Sequence, residues 1–160
     1  MDKTTTYPDD QTPQHYGCFA AGWPLLLPPK PDATLCYRPT VYPQPHSYDE
    51  FPGLIEYGGW PLPLFDLQPI AHPQAAAHND LVSQPTWVIV WGQGRDALGL
   101  RLDSLPISVA DVQPARFPHT LPSLLRSCVR SSFSAGQQHW LAVDPVKLGQ
   151  QLSRLASSSK

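Results

Sequence analysis

Twenty of the 160 residues are proline, and this sets the first limit on the fold. Proline fixes φ and lacks a backbone donor, so it breaks long helices and settles at strand starts, edges and loops. A chain punctuated this often is expected to form short strands between irregular connections. Only 15% of residues are charged and 41% are apolar. Average globular proteins carry about 25% charged residues, so charge repulsion gives no argument for disorder here. The length suits one domain or two small fused subdomains with a real core.

The apolar runs fit that expectation. Residues 16–20 and 23–27 flank Ala21-Gly22 as a first hairpin, and 34–38 form a further short strand. A proline-rich connection through Pro39, Pro43 and Pro45 leads to Gly53-Leu54-Ile55-Glu56-Tyr57, the pair Gly58-Gly59, and Trp60-Pro61-Leu62-Pro63-Leu64-Phe65-Asp66-Leu67. Two glycines between strand-like runs signal a tight hairpin, because both take positive φ without a Cβ clash. Residues 68–85 read as a linker by composition. Beyond it, 87–91 and 97–102 flank a glycine-containing loop, 105–109 add a strand, and 122–126 form one helical turn with Pro122 at its start. Residues 128–133 and 139–143 make a last hairpin around 135–137.

The halves echo each other. Each has a hairpin, a proline-rich excursion, a second hairpin and an apolar strand ending in aspartate, so that Asp66 and Asp144 hold equivalent places. Two similar small β-barrels in one chain follow, since closure removes the exposed edges of short hairpins. A single helix completes the chain: Asp144 as N-cap, Pro145 at the first position, and Leu148, Leu152 and Leu155 in one stripe. Gly149 costs that helix about 1 kcal/mol relative to alanine, so packing must hold it.

No catalytic constellation emerges. His15, His46, His72, His78, His119 and His139 occur singly, without metal-ligand spacing. Gly92-Gln93-Gly94 follows a strand but lacks the third glycine of a phosphate-binding turn. Asp66 and Asp144 are better explained as caps than as a carboxylate pair, and Cys128 as a buried small hydrophobe than as a nucleophile. No metal, no cofactor and no enzyme activity are expected. Cys18, Cys36 and Cys128 are an odd, widely spaced set, expected as reduced thiols in the cytoplasm. No basic run recommends nucleic acid, and no apolar run spans a bilayer. Residues 1–80 hold nine acids and three bases, residues 81–160 four acids and eight bases. Such a split suits either scattered solvated charges or two faces of opposite sign. Trp87, Trp91 and Trp140 lie in apolar strands and are expected in the core; Trp60, at a hairpin tip, is a candidate partner-facing side chain.

The stretch 53–67 resembles the signature hairpin of the CheW-type coupling domain of bacterial chemosensory systems. That pattern runs Gly, two apolar positions, Asn-Leu-Arg-Gly, then an apolar strand with Pro and a closing Asp-Leu. Gly53, Ile55, Gly59, Pro63, Asp66 and Leu67 match, while Glu56 and Gly58 stand in place of Asn and Arg. Leu98-Gly99-Leu100-Arg101-Leu102-Asp103 is similar to the family's strand opening its second barrel, and residues 124–130 with 138–148 to its last hairpin and helix. The order covers residues 16–152.

The resemblance implies a mainly β fold of two SH3-like five-stranded barrels packed together, with a C-terminal helix. On this reading 1–14 is a flexible tail and 15–156 a single CheW-like domain, with a first barrel at 16–67, linker 68–85, and second barrel and helix at 86–156. It also implies a non-enzymatic adaptor between chemoreceptor cytoplasmic tips and the regulatory domain of a CheA-type histidine kinase, with other CheW-like domains as further partners. Such an adaptor is cytoplasmic and recruited to membrane-associated arrays at the cell pole, in chemotaxis or type IV pilus twitching motility. Glu56, Tyr57, Gly58, Gly59 and Trp60 would form the receptor-facing turn. The alternatives are a degenerate CheW-like protein supporting assembly of pilus or polar machinery, an enzyme or metal protein using scattered His and Cys, and a small-molecule sensor using the aromatics.

Overall fold

The computed structural model describes residues 15–27, 33–45, 51–68, 85–92, 94, 97–118 and 120–158, the last four by backbone alone. The expected tail 1–14 and nearly all of the linker lie outside these residues, as do His46, His72, His78 and His119. Twelve strands are described: β1 His15–Ala20, β2 Trp23–Leu27, β3 Ala33–Tyr37, β4 Val41–Tyr42, β5 Gly53–Tyr57, β6 Trp60–Phe65, β7 Trp87–Trp91, β8 Leu98–Leu102, β9 Ile107–Val109, β10 Gln113–Ala115, β11 Val129–Ala135 and β12 Gln138–Val143. Helix α1 is Ser123–Cys128 and α2 is Pro145–Ser158. Cys128 therefore ends a helix rather than opening a strand.

The strands form two six-stranded sheets, one in the order β10-β11-β12-β2-β1-β9 and the other β3-β7-β8-β6-β5-β4. Each has one strand more than the five that the resemblance implies; β4 and β10, of two and three residues among prolines, are too short to leave a periodic signal of their own. Both sheets curl into barrels. In a flat sheet β9 and β10 would lie about 24 Å apart. Residues 110–112 join them, a link whose four Cα steps reach about 15 Å at most. In the second sheet Tyr57 Oη donates to Thr34 Oγ1 at 2.9 Å, between strands four places apart.

The barrels are interleaved along the chain. Hairpin β1–β2 sits with β9–β12, and hairpin β7–β8 with β3–β6. This corrects the sequential division into barrels at 16–67 and 86–156. Written as β4-β5-β6-β8-β7-β3, the second sheet repeats the order of the first with every strand shifted by six. The sequence halves are indeed equivalent units, but each lends its first hairpin to the other's barrel. β6 and β12, the strands ending in Asp66 and Asp144, occupy matching places.

Alternation along each strand divides the core. Leu25 and Leu27 face a cluster shared with Phe65, Ile89, Trp91, Leu98 and Leu100 from the other sheet, while Leu26 faces its own barrel beside Trp140 and Val109. Val88 and Val90 likewise line the second barrel with Ile55, Leu62 and Leu64. Strands buried on both faces read as continuous apolar runs, which is why 23–27 and 87–91 show so little alternation. Trp91 and Trp140 are buried as expected, and Trp87 packs half-buried against the seam. Leu148 and Leu152 carry α2 onto that seam; the side chain of Leu155 lies outside the described part. Gly149 is where the helix meets Leu98: a Cβ there would stand 2.9 Å from Leu98 Cδ2. The propensity lost at this glycine is what lets the helix sit so close.

Candidate functional site

Hairpin β5–β6 is built by its turn. Gly58 and Gly59 have φ of 59° and 82°, the doubly left-handed turn that matches strand twist and that other residues enter at a cost. The register is Tyr57 opposite Trp60, Glu56 opposite Pro61 and Ile55 opposite Leu62. Ile55 and Leu62 point into the barrel, so Tyr57 and Trp60 lie on that same face beyond its rim, and Glu56 lies on the outer face. Tyr57 reaches across the rim to Thr34. Trp60 is 73% exposed. The turn residues singled out in the sequence thus come together at one barrel end. Thr34 was missed, because nothing local marks a threonine on a distant strand as the brace of this turn.

The other candidates take structural roles. Asp144 Oδ1 accepts from the N–H groups of Val146 and Lys147 at 3.0 and 3.3 Å, the expected N-cap, while Oδ2 accepts from Arg130 at 2.7 Å. Burial raises its pKa, but Arg130 and the two backbone donors outweigh that and leave it below the ordinary carboxyl value. Asp66 accepts from Gln68 N–H at 2.9 Å and pairs with Arg101 at 3.4 Å. Here burial dominates, and its pKa stands above the ordinary value despite those partners. Cys18 is fully buried, its thiol pushed up to about 12 by burial and then by Asp103. Burial also raises Cys128, against the opposing contact with Ser127 Oγ. Neither thiol is poised as a nucleophile at neutral pH.

Among the described residues no three His, Cys, Asp or Glu side chains gather into a metal-ligating set. No described helix is long and apolar enough to cross a membrane. A shallow groove of about 440 Å³ runs between α2 and the outer face of β6, over Pro63, Phe65, Leu98 and Val146, with Arg154 on its lining. Asp103, the last residue of the 98–103 stretch matched by resemblance, makes a connection that no local pattern foretells. Its carboxylate accepts from Ala21 and Gly22 N–H at 3.0 and 2.7 Å, tying the end of β8 to the β1–β2 turn of the other barrel.

No protein-family model matches the chain, and no curated protein matches it in sequence. Solved structures do. The scaffolding protein TtCheW from Thermoanaerobacter tengcongensis superposes with a TM-score of 0.57 at 14% identity, over 82% of this chain and 88% of that one. At that identity the likeness is one of fold, and it extends over both barrels rather than one motif. With two interleaved β-barrels, a shared apolar seam and a C-terminal helix, this chain is a divergent protein of CheW-like fold.

Proposed function

We propose that the chain is a non-enzymatic adaptor coupling chemoreceptor tips to the regulatory domain of a CheA-type histidine kinase. The supporting observation is the agreement of two independent features. The fold is that of a scaffolding protein, and its signature hairpin ends in an exposed, braced turn at 56–60. Adaptors need shaped apolar patches rather than perturbed catalytic groups, and the described part of this molecule offers the former. On this reading the protein acts in the cytoplasm at receptor arrays, in chemotaxis or twitching motility, and 15–156 works as one domain.

Receptor choice is altered on the same reading. Where the family pattern has Asn and Arg, this turn presents Glu56 and Gly58, replacing a cation by an anion. A receptor surface suited to arginine loses hydrogen bonds and meets like charge. The test is calorimetry of the full chain against the host's kinase regulatory domain at moderate salt. Micromolar or tighter binding supports coupling. The second reading, a degenerate protein that only supports assembly of pilus or polar machinery, is favoured by the lost Asn and Arg. It moves to the front if a folded, active kinase domain is not bound. The Glu56→Asn, Gly58→Arg double variant should bind arginine-preferring receptors more tightly; unchanged binding would remove the basis for altered choice.

A further inference from the structure

The fold contains its own control for the turn at 56–60. Hairpins β5–β6 and β11–β12 occupy matching places in the two barrels, and each turns through two residues. The closing pair is Tyr57 with Trp60 in one and Ala135 with Gln138 in the other. The second hairpin closes without an aromatic ring, so the turn itself demands neither Tyr57 nor Trp60. Trp60 is nevertheless the most exposed large apolar side chain among the described residues. The backbone that carries it is held in place. Tyr57, directly opposite, is bonded to Thr34 across the barrel rim, and Pro61 fixes φ on the next residue. An aromatic side chain on a braced backbone has only its two side-chain torsions left to order on binding, which suits a hot-spot anchor.

We infer that Trp60 anchors this tip end-on in an apolar recess of the partner, with Tyr57 and Thr34 as positioning residues, and that lysine or arginine rims the recess. The basic rim follows from Glu56, which is exposed, forms no ion pair among the described residues, and stands one position from the tip on its other face. Successive side chains of a strand point to opposite faces of the sheet, so a recess that takes the hairpin end-on closes around both the Trp60 face and the Glu56 face. The inference rests on the coupling reading, in which a receptor tip supplies the recess.

The experiment is calorimetry of the full chain against a cytoplasmic tip fragment of a receptor from the same host, with the kinase regulatory domain measured in parallel. Trp60→Ala should weaken receptor binding by about tenfold or more and leave kinase binding and the melting midpoint unchanged. Tyr57→Phe, which keeps the ring and removes the brace, should weaken it about threefold, and Glu56→Gln should flatten its salt dependence. Acrylamide quenching of tryptophan emission should fall on receptor binding in the parent and not in Trp60→Phe. Receptor binding within about twofold of the parent for Trp60→Ala overturns the anchor and leaves coupling standing. A parent chain that binds neither protein overturns both.

Discussion

Asp66 and Asp144 end matching strands, each beside an arginine, yet burial and capping push their acidities in opposite directions. The consequences for stability have opposite signs. Asp144, lowered in the folded state, contributes stability that is present above the ordinary carboxyl pKa and lost as pH falls through its folded value. Asp66, raised, is penalised when charged; folding is weakened as pH rises through its folded value and recovers on acidification. Asp144→Ala should therefore cost about 1 kcal/mol at neutral pH, the usual worth of an N-cap. Asp66→Asn should raise the denaturant midpoint at pH 7 and remove the gain on mild acidification; an unchanged profile would mean that burial does not govern this group. Gly17 tests packing. A Cβ there would lie 2.4 Å from the Trp140 ring, so Gly17→Ala should destabilise by about 1–3 kcal/mol through overpacking, read as a lower melting midpoint.

At the level of elements, β6 shows where prolines are tolerated inside a sheet. In the β5–β6 register Trp60, Leu62 and Leu64 direct their backbone groups towards β5, and Pro61 and Pro63 direct theirs to the other side. On that side β8 pairs only from Leu64 and Phe65 onward. The missing donors fall where no ladder partner waits, so the prolines cost no hydrogen bond and blunt an open edge. Pro24 sits alike in β2, one position before the pairing with β12 at Leu25. Restoring a donor with Pro61→Thr should leave the melting midpoint nearly unchanged and promote concentration-dependent self-association, seen by light scattering. A strictly monomeric variant would show that the edge is protected by other means.

For the molecule as a whole, the exchanged hairpins decide cooperativity. Each barrel takes strands from both halves, the seam draws side chains from both sheets, and Asp103 ties one barrel's strand end to the other's turn. Neither half contains a complete barrel. Fragments 1–84 and 85–160 should each fail to fold alone and recover native circular dichroism when mixed, and the intact chain should unfold in one transition. A folded isolated fragment would contradict the interleaved topology.

Much of this was legible along the chain, because the deciding signals are local. The Gly58-Gly59 turn, the apolar runs of β1, β2 and β5–β8, the Asp144-Pro145 helix start and the equivalence of the two halves all rest on contacts between near neighbours in sequence. β4 and β10 were not legible, since strands of two or three residues among prolines carry no period. Nor could local pattern assign each hairpin to its barrel: an apolar hairpin buries equally well against either half, and only the pairing of β2 with β12 and β6 with β8 settles the exchange. The sequence marked 56–60 as a candidate turn. Tertiary structure alone brought Thr34 to Tyr57 and left Trp60 in solvent, because the curl of the sheet joins strands that are far apart in the chain.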